Sequence, residues 1–468
     1  LANRDIFSNL SPWDHRYSLR EDEFSSLSGF FSENAGIKYQ GKVELALIEE
    51  LAEREICPQK GVEELKKALD NLKPEEVYKE EEKTRHNIRA LVNVLARGVS
   101  EEIRPYIHLS ATSMDIVDTA NILRYKKAHQ KIIDPLFVII IKLLLELARR
   151  EKETLQVGRT HGQHAVPITF GFALAGYLDR IGRAREDCLK RSQELCGKMA
   201  GAVGAYNASS ILVKDPLNFE NKIMARLGLN PAPISTQIVP PEFLINYLHS
   251  LVVAMGIIAD FADDMRHLQR TEIGEVGEFF SKNQVGSSTM PQKRNPINYE
   301  NIKSLWKTIQ PRMQTVYMDQ LSEHQRDLTN SASSRFYPDI PIGLYLALNR
   351  LKRVLEKFSV DRDAMLKNLN LSQDLVLAEP LYIALAGRGK PDAHEIVRKL
   401  TLEAREKGVG LHEVLSEKKE IQKYLEEMTG EQKHILEDPA RYTGLSRKKT
   451  EIICDYWEKR MEEKQGEK

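Results

Sequence analysis

The segment from Phe243 to Leu268 constrains the fold more than any other stretch. Its apolar residues recur at helical spacing and no proline interrupts it. A helix of that length buries its apolar side only against other long helices. The chain offers several: Ile116 to Ala148, Tyr299 to about Leu321 with Pro311 as an expected kink, and Ile342 to Phe358. Residues 110 to 365 therefore read as one body of long helices, a bundle.

Ahead of that body, from about Lys38 to Leu95, helix follows helix: Val43–Leu51 and Val62–Leu69 carry the period, a turn falls at Asp70–Pro74, and a third helix includes Thr84–Leu91. Residues 213–240 look rich in loops. After about 365 the helices become shorter and richer in charge, as at Asp392–Ala404 and the Lys/Glu-dense 416–434. No region is dominated by strands, and no GxGxxG, Walker lysine or GxSxG elbow occurs. The expected organisation is all-α, with an N-terminal helical domain (1–110), a central long-helix domain (111–365) and a C-terminal helical domain (366–468).

A chain of 468 residues with 41% hydrophobic content supports several domains with proper interiors. Its 68 basic and 68 acidic residues balance, which argues against a general nucleic-acid binder and leaves room for a local cationic pocket. The apolar stretch Ile132–Leu147 contains Asp134, Pro135 and Lys142 and is too short to span a bilayer, so it reads as a helix buried on most of its faces. With no signal-like apolar run at the start, the expectation is a cytoplasmic protein with no membrane partner. Cys57, Cys188, Cys196 and Cys454 form no CxxC pair and read as free thiols.

Polar breaks between the helices hold the candidate chemistry. Arg16-Tyr17, in the stretch Ser11–Ser18, offers one charge and one hydroxyl to an anion, or simply tacks an N-terminal arm to the surface. His86 follows Thr84-Arg85 among polar residues rather than on an apolar stripe. Ser110, Thr112 and Ser113 stand just ahead of a long helix. There they can hold a carboxylate or phosphate, with Thr112 and Asp115 also placed for an ordinary capping box. In Gly158-Arg159-Thr160-His161-Gly162-Gln163-His164, two histidines three residues apart lack HExxH and a nearby acidic ligand; an acid–base histidine suits the segment better than a metal. Arg326 and Arg335, nine residues apart with Ser331 between them, can share one phosphate if the chain turns. Finally, Gly286 to Pro296 packs hydroxyls, Lys293, Arg294, Gln292 and Asn295 into a loop too polar for a core helix.

That last string, Gly286-Ser287-Ser288-Thr289-Met290-Pro291-Gln292-Lys293-Arg294-Asn295-Pro296, resembles the signature loop of the fumarase/aspartase superfamily, usually GSSxMPxKxNP. Within the superfamily the chain is most similar to the adenylosuccinate lyases. The supporting segments are Arg16-Tyr17, Thr84-Arg85-His86, Thr112–Asp115, Gly158–Gly162, Ser235-Thr236-Gln237, His324–Arg326 with Ser331 and Arg335, and the Asp438–Gly444 turn. Argininosuccinate lyases share the loop, and cycloisomerases share the fold. The resemblance implies a three-domain helical protomer, a homotetramer whose active sites draw on three subunits, and β-elimination of fumarate from adenylosuccinate and SAICAR with no metal or organic cofactor.

By the same resemblance, Ser287 is the expected base and His161 the general acid, with Glu300 orienting His161 and His86 helping to position substrate. Lys293 and Asn295 would meet the succinyl carboxylates, and Thr112, Ser113 and Thr160 would add hydroxyl donors. Arg16, Tyr17, Arg326, Ser331 and Arg335 would hold the nucleotide phosphate, and Gln237 would lie near ribose or base. Arg85, Ser288 and Met290 complete the expected binding set. The chain departs from the pattern at Asn87, where aspartate is common, at Ile238–Phe243, where many members carry a basic run, and at Asn301, where some carry arginine.

Overall fold

The computed structural model describes residues 9–279, 289–290 and 292–466. They form an all-α architecture with a long helix bundle, as the periodicity implied. Strands are confined to one hairpin, Leu155–Thr160 with Gln163–Thr169, and to two-residue pairs. The longest helix is Glu242–Leu268, where the sequence placed it. It is long and apolar enough to cross a membrane. Tyr247, Leu248, Leu251, Met255, Ile258 and Phe261 on it are fully buried in protein.

Three expectations need revision. Residues 113–150 are not one regular helix: Ser113–Ala128 passes through a π-helical turn, His129–Ile133, into Asp134–Arg150. Pro135 supplies the reason, because its ring displaces the carbonyl four residues earlier and it has no N–H to offer. Pro311, likewise, does more than kink: the helix Ile297–Ile309 ends before it and Arg312–Met318 restarts after it. The interval 213–240, read as loop-rich, contains the helix Pro216–Leu227. Its signals are local: Asp215 accepts the Asn218 N–H at 3.0 Å, Pro216 sits in the first turn, and Gly228 closes it at φ 69°.

The chain divides into two compact units, each assembled from three stretches. The first unit comprises 1–136, 184–255 and 305–347. Its core includes Leu47, Ile48, Leu51, Phe219 and Tyr247. It also encloses two ion pairs: Arg185 grips Asp134 at 2.6 and 3.1 Å, and Lys198 meets Asp115 with both side chains fully buried. The second unit comprises 137–183, 256–304 and 348–468. Phe170 stacks on Phe358 there at 6.2 Å, and Gly182 lies flat against the buried Trp457 of the last helix. A separate apolar cluster, from Leu381 to Met428, closes the charge-rich C-terminal helices. The four cysteines are free and buried.

Candidate active site

In the first unit one group of candidate residues gathers at the start of the helix Ser113–Ala128. Thr112 caps it, with Asp115 reaching back to the Thr112 N–H at 2.8 Å. Asp115 does more than cap, for it also accepts the Ala200 and Gly201 N–H groups at 3.1 and 3.2 Å and pairs with Lys198. One turn on, Asp118 accepts the Val239 N–H at 2.9 Å. Burial pushes its carboxyl up to about 6, against the pull of that N–H, Lys198 and Arg326. The Gln237 N–H donates to the Gln325 carbonyl at 3.3 Å. These bonds hold Thr112 and Gln237 directly; Ser113 follows Thr112 and Arg326 follows Gln325 in the chain, and all four are half-buried.

The loop before Thr112 is strained, with His108 at φ 62° and Ser110 at φ 66°. It is held by Glu44, a fully buried carboxylate that accepts the His108 N–H at 3.1 Å and faces its Nδ1 at 2.7 Å. Burial alone pulls the His108 imidazole down, but Glu44 overrides it and the net shift is upward, toward the charged form. His108 thus joins the candidate site although the sequence reading gave it no role; the signal available was its place four residues before Thr112. The Ser110 Oγ is buried with no partner.

His86 caps the helix Asn87–Arg97, its Nδ1 accepting the Arg89 N–H at 3.2 Å. Arg85 ends the preceding helix in the left-handed region at φ 54°, so Thr84-Arg85-His86 is a tight interhelical turn with Arg85 and His86 exposed. Asn87 uses its Oδ1 on the Ile88 N–H at 2.8 Å.

The anion-holding candidates of this unit lie on two segments. Arg326 and Ser331 belong to the loop that leads into the short 3-10 turn Ser333–Phe336, which carries Arg335. Within it the Arg326 Nε, Asn330 Oδ1 and Ser333 Oγ are all buried without a hydrogen-bond partner. Three such atoms fall within eight residues, and each calls for a partner that the protein itself does not supply. The N-terminal arm is fixed by Trp13, whose indole N–H donates to Asp339 at 2.7 Å and whose ring lies 5.4 Å from that of Tyr17. Arg16 beside it is exposed. The arm thus docks a few residues beyond Arg335, through Asp339.

The second unit holds the other group. Thr160 pairs with Gln163, which leaves His161 (φ 54°) and Gly162 (φ 73°) as a two-residue turn with both centres left-handed. That geometry puts His161 at the exposed tip of the hairpin, with Thr160 beside it. On the returning strand, His164 Nδ1 meets Ser372 Oγ at 2.7 Å, and burial followed by the charge of Arg159 holds its imidazole below the usual histidine range.

Ser287 and Ser288 lie outside the described residues. The flanks of their loop are firmly based: Glu278 accepts Asn298 N–H at 2.9 Å, Asn298 Nδ2 at 2.6 Å and Tyr299 N–H at 2.9 Å, while its own N–H donates to Gln269 at 3.1 Å. Burial nonetheless raises its carboxyl above the ordinary range, against those N–H groups. Met290 and Lys293 are exposed, Asn295 is half-buried, and the Lys293 N–H closes a turn on the Met290 carbonyl at 3.0 Å. On the helix that follows, the Tyr299 hydroxyl and Asn301 Oδ1 are buried without partners among the described residues. Glu300 is exposed, and among the described residues no hydrogen bond joins it to His161. Among those residues there is also no cluster of acidic, histidine and cysteine side chains fit for a metal.

A long helix bundle with polar segments between its helices places the chain among helical-bundle enzymes. Solved structures agree on that class. The 3-carboxy-cis,cis-muconate lactonizing enzyme of Pseudomonas putida superposes with a TM-score of 0.82 at 27% identity, covering 94% of this chain and 98% of that one. A fumarate lyase from Mesorhizobium sp. BNC1 gives 0.81 at 26% identity, covering 92% and 97%. A lyase family model matches residues 22–310, and an adenylosuccinate lyase C-terminal model matches 322–434. Adenylosuccinate lyase of Pyrococcus abyssi is 35% identical over 455 residues, 96% of this chain and 98% of its own. That of Bacillus subtilis is 34% identical over 386 residues, 81% and 87%. The chain belongs to the adenylosuccinate lyase family of the fumarase/aspartase superfamily.

Proposed function

We propose that the protein is an adenylosuccinate lyase, releasing fumarate from adenylosuccinate to leave AMP and from SAICAR to leave AICAR. The observation that carries this reading over other fumarate-releasing chemistry is the Arg326–Ser333 segment. Its unpartnered guanidinium N–H and hydroxyl, with Arg335 following, can donate to a phosphate, and the Asn330 amide oxygen can accept from a hydroxyl of the same substrate. Arg16 and Tyr17 extend the same cradle. Gln237, joined to Gln325 through the backbone, would lie on the nucleoside side, with Arg85 and His86 at the substrate's edge.

Elimination needs a base for the proton on the carbon β to the departing nitrogen, donors for the aci-carboxylate that develops, and an acid for the nitrogen as the C–N bond breaks. Ser287 takes the first role, its alkoxide character supported by the ammonium of Lys293. Lys293, Asn295, Thr112 and Ser113 serve the carboxylates, with Ser288 and Met290 closing over them. His161, with Thr160 beside it, delivers the proton to nitrogen, for an imidazolium is a competent donor near neutral pH. Glu300 orients His161, and the parts meet across subunits of a homotetramer, without metal or organic cofactor.

The test is direct. Purified protein is given adenylosuccinate, and fumarate and AMP are measured; argininosuccinate and carboxymuconate are given in parallel. Arg326→Ala should weaken AMP binding by about 10- to 100-fold, the loss of charge-assisted hydrogen bonds. Turnover of argininosuccinate alone, with AMP binding unmoved in Arg326→Ala, defeats the proposal.

A further inference from the structure

The hairpin that presents His161 is irregular at one place. Its register shifts between Val157 and Arg159: the extra residue is on the returning strand, where Ala165 and Val166 stand opposite Gly158, and a Cβ on Gly158 would fall 2.8 Å from the Val166 carbonyl oxygen. The bulge fixes which residues of the two strands pair, and so which two form the turn; a slip of one residue in that pairing would take His161 out of its place at the tip.

The bulge is spanned by one carboxylate. Glu275 is fully buried and accepts Gln156 Nε2 at 2.7 Å on one side of Gly158 and the Arg159 guanidinium at 2.5 and 3.2 Å on the other. A fourth donor, Asn368 Nδ2, reaches it at 2.8 Å. The carboxylate is anchored from behind as well. The Glu275 N–H donates to Leu268 and its carbonyl accepts the Asp361 N–H, both at 2.9 Å. The Arg159 contact is two-pronged, which fixes direction as well as distance.

We infer that Glu275, through its clamp on Gln156 and Arg159, is the positioning residue that sets the register of the hairpin and so the direction of His161. The inference rests on the reading of His161 as the proton donor. Glu275 touches no substrate; it acts only by where it holds the turn. Displacing the donor by about 1 Å is enough to lower turnover by roughly 100-fold while substrate still binds.

The experiment is a double-mutant cycle on full-length protein with adenylosuccinate as substrate. Glu275→Gln should lower kcat by roughly 10- to 100-fold with KM within about threefold of wild type, and in a His161→Ala background it should lower kcat no further. An equal loss with and without His161, or a rise in KM with kcat intact, overturns the inference. If Glu275→Gln fails to fold, Arg159→Lys decides. It keeps the charge but not the two-pronged grip, and should show the same kcat-selective loss; full kcat there overturns the inference. Should His161→Ala keep wild-type kcat, the roles of His161 and Glu275 both fall, while fumarate release by the wild type still stands for the reaction itself.

Discussion

Lys198→Met tests how the floor of the Thr112–Ser113 loop is held. Both Lys198 and Asp115 are fully enclosed, and the ammonium has two partners, the Asp115 carboxylate and the Gly201 carbonyl at 3.2 Å. Removing one member of such a pair leaves the other charge buried and costs about 3–5 kcal/mol. Asp115 retains three N–H donors, from Thr112, Ala200 and Gly201, which argues for the lower end, about 3 kcal/mol. An unfolding entropy of about 2.1 cal/mol/K per residue, taken over 468 residues, gives about 1 kcal/mol per degree. The expected fall in Tm is therefore about 3 °C, read by calorimetry at fixed protein concentration. Asp115→Asn combined with Lys198→Met should recover roughly 2 kcal/mol relative to the sum of the single changes. A single-variant Tm within 1 °C of wild type, or strict additivity in the double variant, would refute the reasoning.

Two further outcomes follow from buried groups elsewhere. His129 is fully buried against Tyr247, and burial holds its imidazole down at about 4. Its folded value lies below the unfolded one, so as pH falls from about 6.5 toward 4 the unfolded chain takes up a proton that the native one refuses. Stability should fall by roughly 2 kcal/mol between pH 7 and 5 from this group, and His129→Gln should flatten that part of a Tm-against-pH curve. An unchanged slope in the variant would assign the acid sensitivity to other groups. Gly182→Ala would drive a Cβ to 2.4 Å from the Trp457 ring. A loss of about 1–3 kcal/mol in urea unfolding is expected, with a change in Trp fluorescence; a neutral result would mean that the last helix gives way freely.

Local signals made much of this protein legible. The helix Glu242–Leu268 follows from its uninterrupted period, and the Thr112–Asp115 capping box was readable from four letters. Pro216 and Gly228 bracket a helix inside an interval whose composition is that of a loop. The hairpin at 155–169 was seen only as a polar break, because Thr160-His161-Gly162-Gln163 carries a turn whose first left-handed centre is a histidine rather than the usual Asn or Gly. Of the candidate site, the residue types and their segments were legible. The supporting partners were not: nothing in the neighbourhood of His108 announces Glu44, and nothing near His161 announces Glu275.

The division has a physical cause. Periodicity, caps and prolines act over a few residues, so the sequence by itself determined the helical class, most helix positions and the polar breaks that hold the candidate residues. The partners of buried charges are set by packing across the chain. Glu44 and His108 are 64 residues apart, Asp115 and Lys198 are 83, and Arg159 and Glu275 are 116. A buried carboxylate must find a cation or donors, but which ones depends on which helices and strands come to lie side by side. Only the tertiary structure decided that. It chose the carboxylates that hold His108, Thr112 and the His161 turn in place.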